Sequence, residues 1–109
     1  MVTVTILCEK GRAVGFTCAG HADYADEGTD IVCSAISALT QTAVLGIREV
    51  AKISAGVSVR EGEIRCVIDR DTDLTQLEKA DLLLSTMAAG LRAIDKAYPN
   101  TLKISDREV

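Results

Sequence analysis

Seventeen consecutive residues, Ile31 to Ile47, carry no charged side chain. A run of about that length is at the lower limit for a helix that crosses a bilayer, so the chain must place it in a membrane, a core or an interface. Ser34, Ser37, Thr40, Gln41 and Thr42 interrupt it, which makes it a poor membrane segment and a good buried or interface helix. Val32, Ile36, Leu39, Ala43, Ile47 and Val50 recur at helical spacing. That stripe predicts a helix from just after Asp30 to about Ser54, one face of which needs a second layer to cover it.

The remaining segments supply that layer. Val2, Val4, Ile6 and Cys8 alternate with Thr3 and Thr5, the pattern of a half-buried strand. Glu9-Lys10-Gly11-Arg12 reads as a turn and Ala13 to Ala19 as the returning strand, with Val14, Phe16 and Cys18 on one face. Gly20 to Thr29 has no apolar period and reads as a loop. Val57 to Asp69 repeats the hairpin about Arg60-Glu61-Gly62-Glu63, with Ile64, Cys66 and Ile68 on one face. A second helix starts near Leu74, with Asp73 as its cap and Gln76 at the capping-box position. It follows Leu77, Leu84, Met87, Leu91 and Ile94 to Tyr98, where Pro99 stops it. Thr101 to Ser105 reads as a short last strand. The expected fold is α+β in the order β-β-α-β-β-α-β, with antiparallel sheet pieces packed on two helices. The 109 residues give one domain, 1–109.

Composition narrows the partners. Twelve Lys and Arg against sixteen Asp and Glu give a net charge of −4, the wrong sign for neutralising phosphates. Phe16, Tyr24 and Tyr98 are too few for a base-stacking platform, so no direct nucleic-acid partner is expected. The start lacks the cationic and apolar regions of a secretory leader. The four cysteines form no CxxC pair and read as reduced thiols of the cytosol.

Cys8, Cys18 and Cys66 fall on the apolar parity of strands, where cysteine acts as a small hydrophobe. Cys33 differs. With Asp30 as N-cap it would be the third helical residue, facing the positive end of the helix dipole, an environment suited to a nucleophilic sulfur. His21, the one imidazole, precedes it by twelve residues, and a thiol nucleophile needs a base. Other readings stand beside this one: a turn histidine with a buried cysteine, or a zinc site from Cys18, His21 and Cys33. Against zinc, Cys18 points to the core and no second closely spaced ligand pair exists. Asp23, Asp26 and Glu27 lack calcium-loop spacing and read as a solvated face. Asp30 could cap the helix or orient His21. Ser37 lies one turn beyond Cys33 on the same helical face. Gly20 and Gly28 bracket the loop as hinges or points of close backbone approach.

Gly20-His21-Ala22, followed by Gly28-x-Asp30-Ile31-Val32-Cys33-Ser34-Ala35-x-Ser37, resembles the signature of the ribosomal-processing cysteine protease family, Prp. The resemblance extends over essentially the whole chain. It implies a bacterial, cytoplasmic homodimer that needs no cofactor or metal and has no membrane partner. It implies a Cys–His dyad that cuts peptide bonds through an acyl-enzyme, with Cys33 as nucleophile and His21 as base. Gly20, Asp30 and Ser37 would support the site, and a loop including Ala22, Asp23, Tyr24 and Gly28 would move when substrate binds. The implied substrate is the precursor of the twenty-seventh large-subunit ribosomal protein, with an N-terminal extension that ends in aromatic residues. First-turn N–H groups near Cys33 would then hold the oxyanion. The acidic loop and Ser34, where many relatives carry alanine, depart from the family and bear on affinity. A non-catalytic ribosome-associated binding module and a redox sensor at Cys33 remain as other classes. The presence of both His21 and Cys33 argues against the first, and the lack of a nearby resolving cysteine against the second.

Overall fold

Two hairpins share one sheet. The computed structural model describes residues 1–20 and 27–109, and side chains outside 21–30. β1 (Val2–Glu9) and β2 (Arg12–Ala19) form the first hairpin, turned at Lys10 and Gly11, both with positive φ. β3 (Ala55–Arg60) and β4 (Glu63–Ile68) form the second. β4 pairs antiparallel with β2, and β5 (Leu102–Glu108) pairs parallel with β1, giving the order β3-β4-β2-β1-β5. The expected antiparallel pieces thus join into one mixed sheet, and the last strand runs on to Glu108 instead of stopping at Ser105. α1 (Glu27–Leu45) and α2 (Leu74–Ala97) supply the second layer of this α+β fold. Val4, Phe16, Cys66 and Leu102 of the sheet share one buried cluster with Val32 and Ile47 from the first helical segment and Leu84 and Leu91 from α2.

The first hairpin carries a bulge. Leu7 pairs with Gly15 and Cys8 with Ala13, which leaves Val14 without a partner. Ala13, in place of Val14, therefore joins Phe16 and Cys18 in the buried cluster. Beside the bulge the Ala13 N–H donates to Asp81 Oδ1 of α2 at 2.9 Å. The same oxygen accepts from the Ser85 hydroxyl at 3.0 Å. A strand irregularity is thereby bonded to the helix above it.

α1 begins at Glu27, earlier than the sequence pattern suggests. Asp30 is therefore inside the first turn and not the cap, and Cys33 stands in the second turn. Gly28 and Thr29 are weak helix formers, which is why their segment reads as loop. At the far end the α-helix gives way after Leu45 to a π turn over Gly46–Val50, where the Ala51 N–H donates to the Gly46 carbonyl at 2.8 Å. Lys52, with φ of 57°, then turns the chain away, so the helical stretch stops short of Ser54.

The buried stripe is Val32, Ile36, Thr40, Ala43 and Ile47. Thr40 takes the central place, and its hydroxyl is 3.0 Å from the Ile36 carbonyl, to which it donates. Leu39 is instead half-buried against α2, where a Cβ on Gly90 would stand 3.1 Å from its Cδ1. Asp73 caps α2 by accepting the Gln76 N–H at 2.9 Å. The Gln76 side chain does not close the capping box. Its Nε2 donates to the Ala51 carbonyl at 3.3 Å and links the start of α2 to the end of the first helical stretch.

Three cysteines are shifted by their surroundings. Burial pushes the Cys18 thiol from 9.0 up to about 11, with nearby Cys33 adding to it. Burial likewise pushes Cys66 up to about 11, opposed by Arg48. Cys8, half-buried at the hairpin end, is raised by burial first and then by Asp106, Glu108 and Asp81.

Two outcomes follow from this packing. Asp81→Ala leaves the Ala13 N–H without its carboxylate and should lower unfolding free energy by about 1–3 kcal/mol in urea titrations. Above pH 9.0 the unfolded chain releases thiol protons that the folded Cys18 and Cys66 keep up to about pH 11. Stability present below that window should fall progressively through it, and Cys66→Ala should flatten the slope of urea midpoint against pH.

Candidate active site

Cys33 owes its position to the stripe beside it. It follows buried Val32 by one residue, about 100° further round the helix, and so stands half-buried at the margin of the core. Cys18, near the end of β2 on the helix-facing side, feels Cys33 electrostatically. One turn on, Ser37 is exposed and lines a groove of about 520 Å³ between the first helix and the second hairpin. Ile36, Thr40 and Val44 form its helical wall, and Val57, Val59 and Ile64 the wall from β3 and β4. Cys18 also lines it, and Gln41, Arg60 and Glu63 add polar groups. A volume in this range suits a ligand of a few side chains.

Gly20 ends β2 in a conformation that only glycine adopts at low cost. Its φ is +104°, and a Cβ there would lie 2.6 Å from the Met1 carbonyl oxygen. Its N–H donates to the Gly62 carbonyl at 3.0 Å, beside the hairpin turn that closes one end of the groove. The chain therefore enters segment 21–26 next to the groove. The role of Gly20 visible here is backbone placement.

His21, Ala22, Asp23 and Tyr24 lie outside the described residues. Gly28 and Asp30 contribute backbone to the start of α1. Cys33 being in the second turn overturns the expectation that it meets the open helix end. Its backbone N–H falls where helical donors already have an acceptor four residues back. Cys18 feels Cys33 electrostatically, but it is buried and its thiol is pushed up to about 11, which does not suit a resolving thiol. Among the described residues no three of His, Cys, Asp and Glu gather into a metal-binding group.

Sequence reasoning missed the groove itself. Its walls come from segments some twenty residues apart, and only the shared parity of Phe16 and Cys18 and the alternation of Val57 and Val59 hinted at an apolar surface there. The Cys18–Cys33 proximity had no local signal.

Known proteins agree with this architecture. The ribosomal processing cysteine protease Prp of Bacillus subtilis (strain 168) is 26% identical over 108 residues, covering 96% of both chains. Its counterpart in Staphylococcus aureus (strain Mu50) is 30% identical over 110 residues, covering 96% of this chain and 98% of that one. The S. aureus Prp structure in complex with a substrate peptide superposes with a TM-score of 0.84 at 24% identity, covering 98% of this chain and all 100% of the other. SMU.848 from Streptococcus mutans superposes with a TM-score of 0.79 at 22% identity, covering 100% of this chain and 96% of that one. These likenesses in space show the fold. The sequence pattern described as cysteine protease Prp matches residues 1–103, so this chain belongs to the Prp family of ribosomal-processing cysteine proteases.

Proposed function

We propose that residues 1–109 act as one cysteine-protease domain in which Cys33 is the nucleophile and His21 the base. The observation that carries this reading is the placement of Cys33, half-buried at the edge of the core one helical turn before an apolar groove. His21 takes the Cys33 proton and the thiolate attacks the scissile carbonyl. Collapse of the tetrahedral adduct expels the amine, which receives the proton from His21. Water, activated by the same imidazole, then hydrolyses the thioester and regenerates the thiol. Ser37, exposed on the groove wall, is placed to bond a bound peptide. Gly20 sets the chain direction into His21. Asp30 and Gly28 support the site through the first turn of α1.

The substrate we infer is the precursor of the twenty-seventh large-subunit ribosomal protein, cut after an N-terminal extension that ends in aromatic residues. Val44, Val57, Val59 and Ile64 offer the apolar surface such side chains bury. The net charge of −4 favours encounter with a basic ribosomal protein. No cofactor, metal, nucleic acid or membrane has a part in this mechanism, and the compartment we infer is the bacterial cytoplasm.

The stretch Ile31–Val50 has a mean hydropathy of 1.4 and is long and apolar enough to cross a membrane. We read it otherwise, because its stripe is packed into the core. Its outward apolar residues, Ile31, Leu45 and Val50, are 63%, 57% and 80% exposed and suit a second copy of the chain. Sedimentation equilibrium should give twice the 11.6 kDa chain mass, shifting towards the monomer in Val50→Glu. A monomer at all concentrations rejects the dimer.

A reducing incubation with a peptide spanning the extension and the mature start tests the enzyme by mass spectrometry. A single cut is expected, lost by about a thousandfold or more in Cys33→Ala and in His21→Ala. Val59→Glu, at an exposed groove position, should raise KM with little change in kcat. Binding without cutting by the natural protein would leave the binding module instead. A redox sensor at Cys33 likewise gives no cut.

A further inference from the structure

The end of the sheet remote from Gly20 holds a second groove. On the helix-free face, Arg107, Leu7, Gly15, Val67 and Gly56 form one row across the five strands. A Cβ at Gly15 would lie 2.5 Å from the Cys66 carbonyl oxygen and 3.4 Å from Leu7 Cδ1. Position 15 therefore admits no side chain, and a notch persists between Leu7 and Val67. Val14, turned out of the ladder by the bulge, lines the same groove, which continues past the sheet end to Leu74 and Leu77 at the start of α2.

Five of the twelve Lys and Arg residues line this groove: Lys10, Arg12, Arg65, Arg70 and Arg107. Its lining carboxylate side chains are Glu9 and Asp69, and Asp69 already accepts from the Ser54 hydroxyl. The ion pair among the described residues, Arg92 with Asp106 at 3.4 Å, involves none of the five. Among the described residues these cations thus have no carboxylate partner, in a chain whose net charge is −4.

We propose that this groove binds an acidic peptide segment of a partner protein, with its carboxylates on Arg65 and Arg107 and its aliphatic side chains against the half-buried Val14 and Val67. Guanidinium groups bond carboxylates through two parallel N–H donors, and an apolar floor rewards aliphatic side chains. Among the described residues the groove has no aromatic lining residue on which a base could stack, which favours a peptide over RNA. It lies about one strand length, roughly 25 Å, from the end of β2 where the chain enters the proposed active site, and the basic substrate inferred there has the wrong charge for it. The proposal stands whether or not the cleavage reading does.

Fluorescence anisotropy of the full chain with a fluorescein-labelled peptide alternating glutamate and leucine tests it. The expected result is saturable binding that weakens with added salt. It should drop about tenfold or more in the double variant Arg65→Glu/Arg107→Glu and for the peptide with glutamine in place of glutamate. Both positions are exposed, and thermal unfolding verifies that the variant is folded. Methyl NMR shifts should move at Val14 and Val67. The proposal is overturned by absence of binding, by equal binding of the glutamine peptide, by preferential binding of a single-stranded RNA probe, or by shifts confined to Val57 and Ile64.

Discussion

The rotation of the first helix about its own axis governs the molecule. Val32, Ile36, Thr40, Ala43 and Ile47 are all buried, and five anchors over four turns leave no freedom to roll. Rolling by one residue would expose Ile36 and bring Ser37 inside, at a cost of a lost apolar burial and an unmet hydroxyl. The same lock sets Cys33 beside the stripe, where a sulfur is half out of the core. The half-exposure of Cys33 and the burial of the core are thus two readings of one helical phase.

That helix is held from several directions. Gly90 of α2 leaves room for the Leu39 side chain, where a Cβ would stand 3.1 Å from its Cδ1, and Gln76 bonds the carbonyl of Ala51. α2 in turn is tied to the first hairpin through Asp81 and Ala13. The bulge therefore has two effects on opposite sides of the sheet. It offers an N–H to α2 on one side and presents Val14 to the distal groove on the other. A single extra residue shapes both.

Strand parity and helical period were legible in the sequence because each is a local repeat enforced by burial. Both hairpins, the Asp73 cap and the stop at Pro99 stand where those patterns put them. Two local failures have physical causes. Val14 obeys alternation on paper, but the bulge shifts the phase by one, and no residue type announces a bulge. Gly28 and Thr29 resemble loop by propensity, yet a first helical turn tolerates them. The parallel pairing of β5 was invisible because the order of elements along a chain does not state which strand edge the last one meets. At the candidate site, Cys33 and Ser37 were readable from spacing. The groove wall of Val57, Val59 and Ile64 and the neighbour Cys18 were not, since they arrive through tertiary packing.

The pairing of β5 with β1 has a kinetic consequence. Val2 faces Leu102 and Cys8 faces Glu108 in this ladder, partners separated by one hundred positions. Loop closure on that scale carries a high entropic cost and slows folding. During synthesis, β1 must wait beside β2 with its outer edge unpaired until residues 102–108 have left the ribosome. Val2, Val4 and Ile6 are then an exposed template for strand addition. The turn at Asn100, with φ of 68°, and the bond from the Val2 N–H to the Thr101 carbonyl at 3.1 Å stand where β5 enters that ladder. A nascent chain of this protein is most open to mispairing just before β5 emerges.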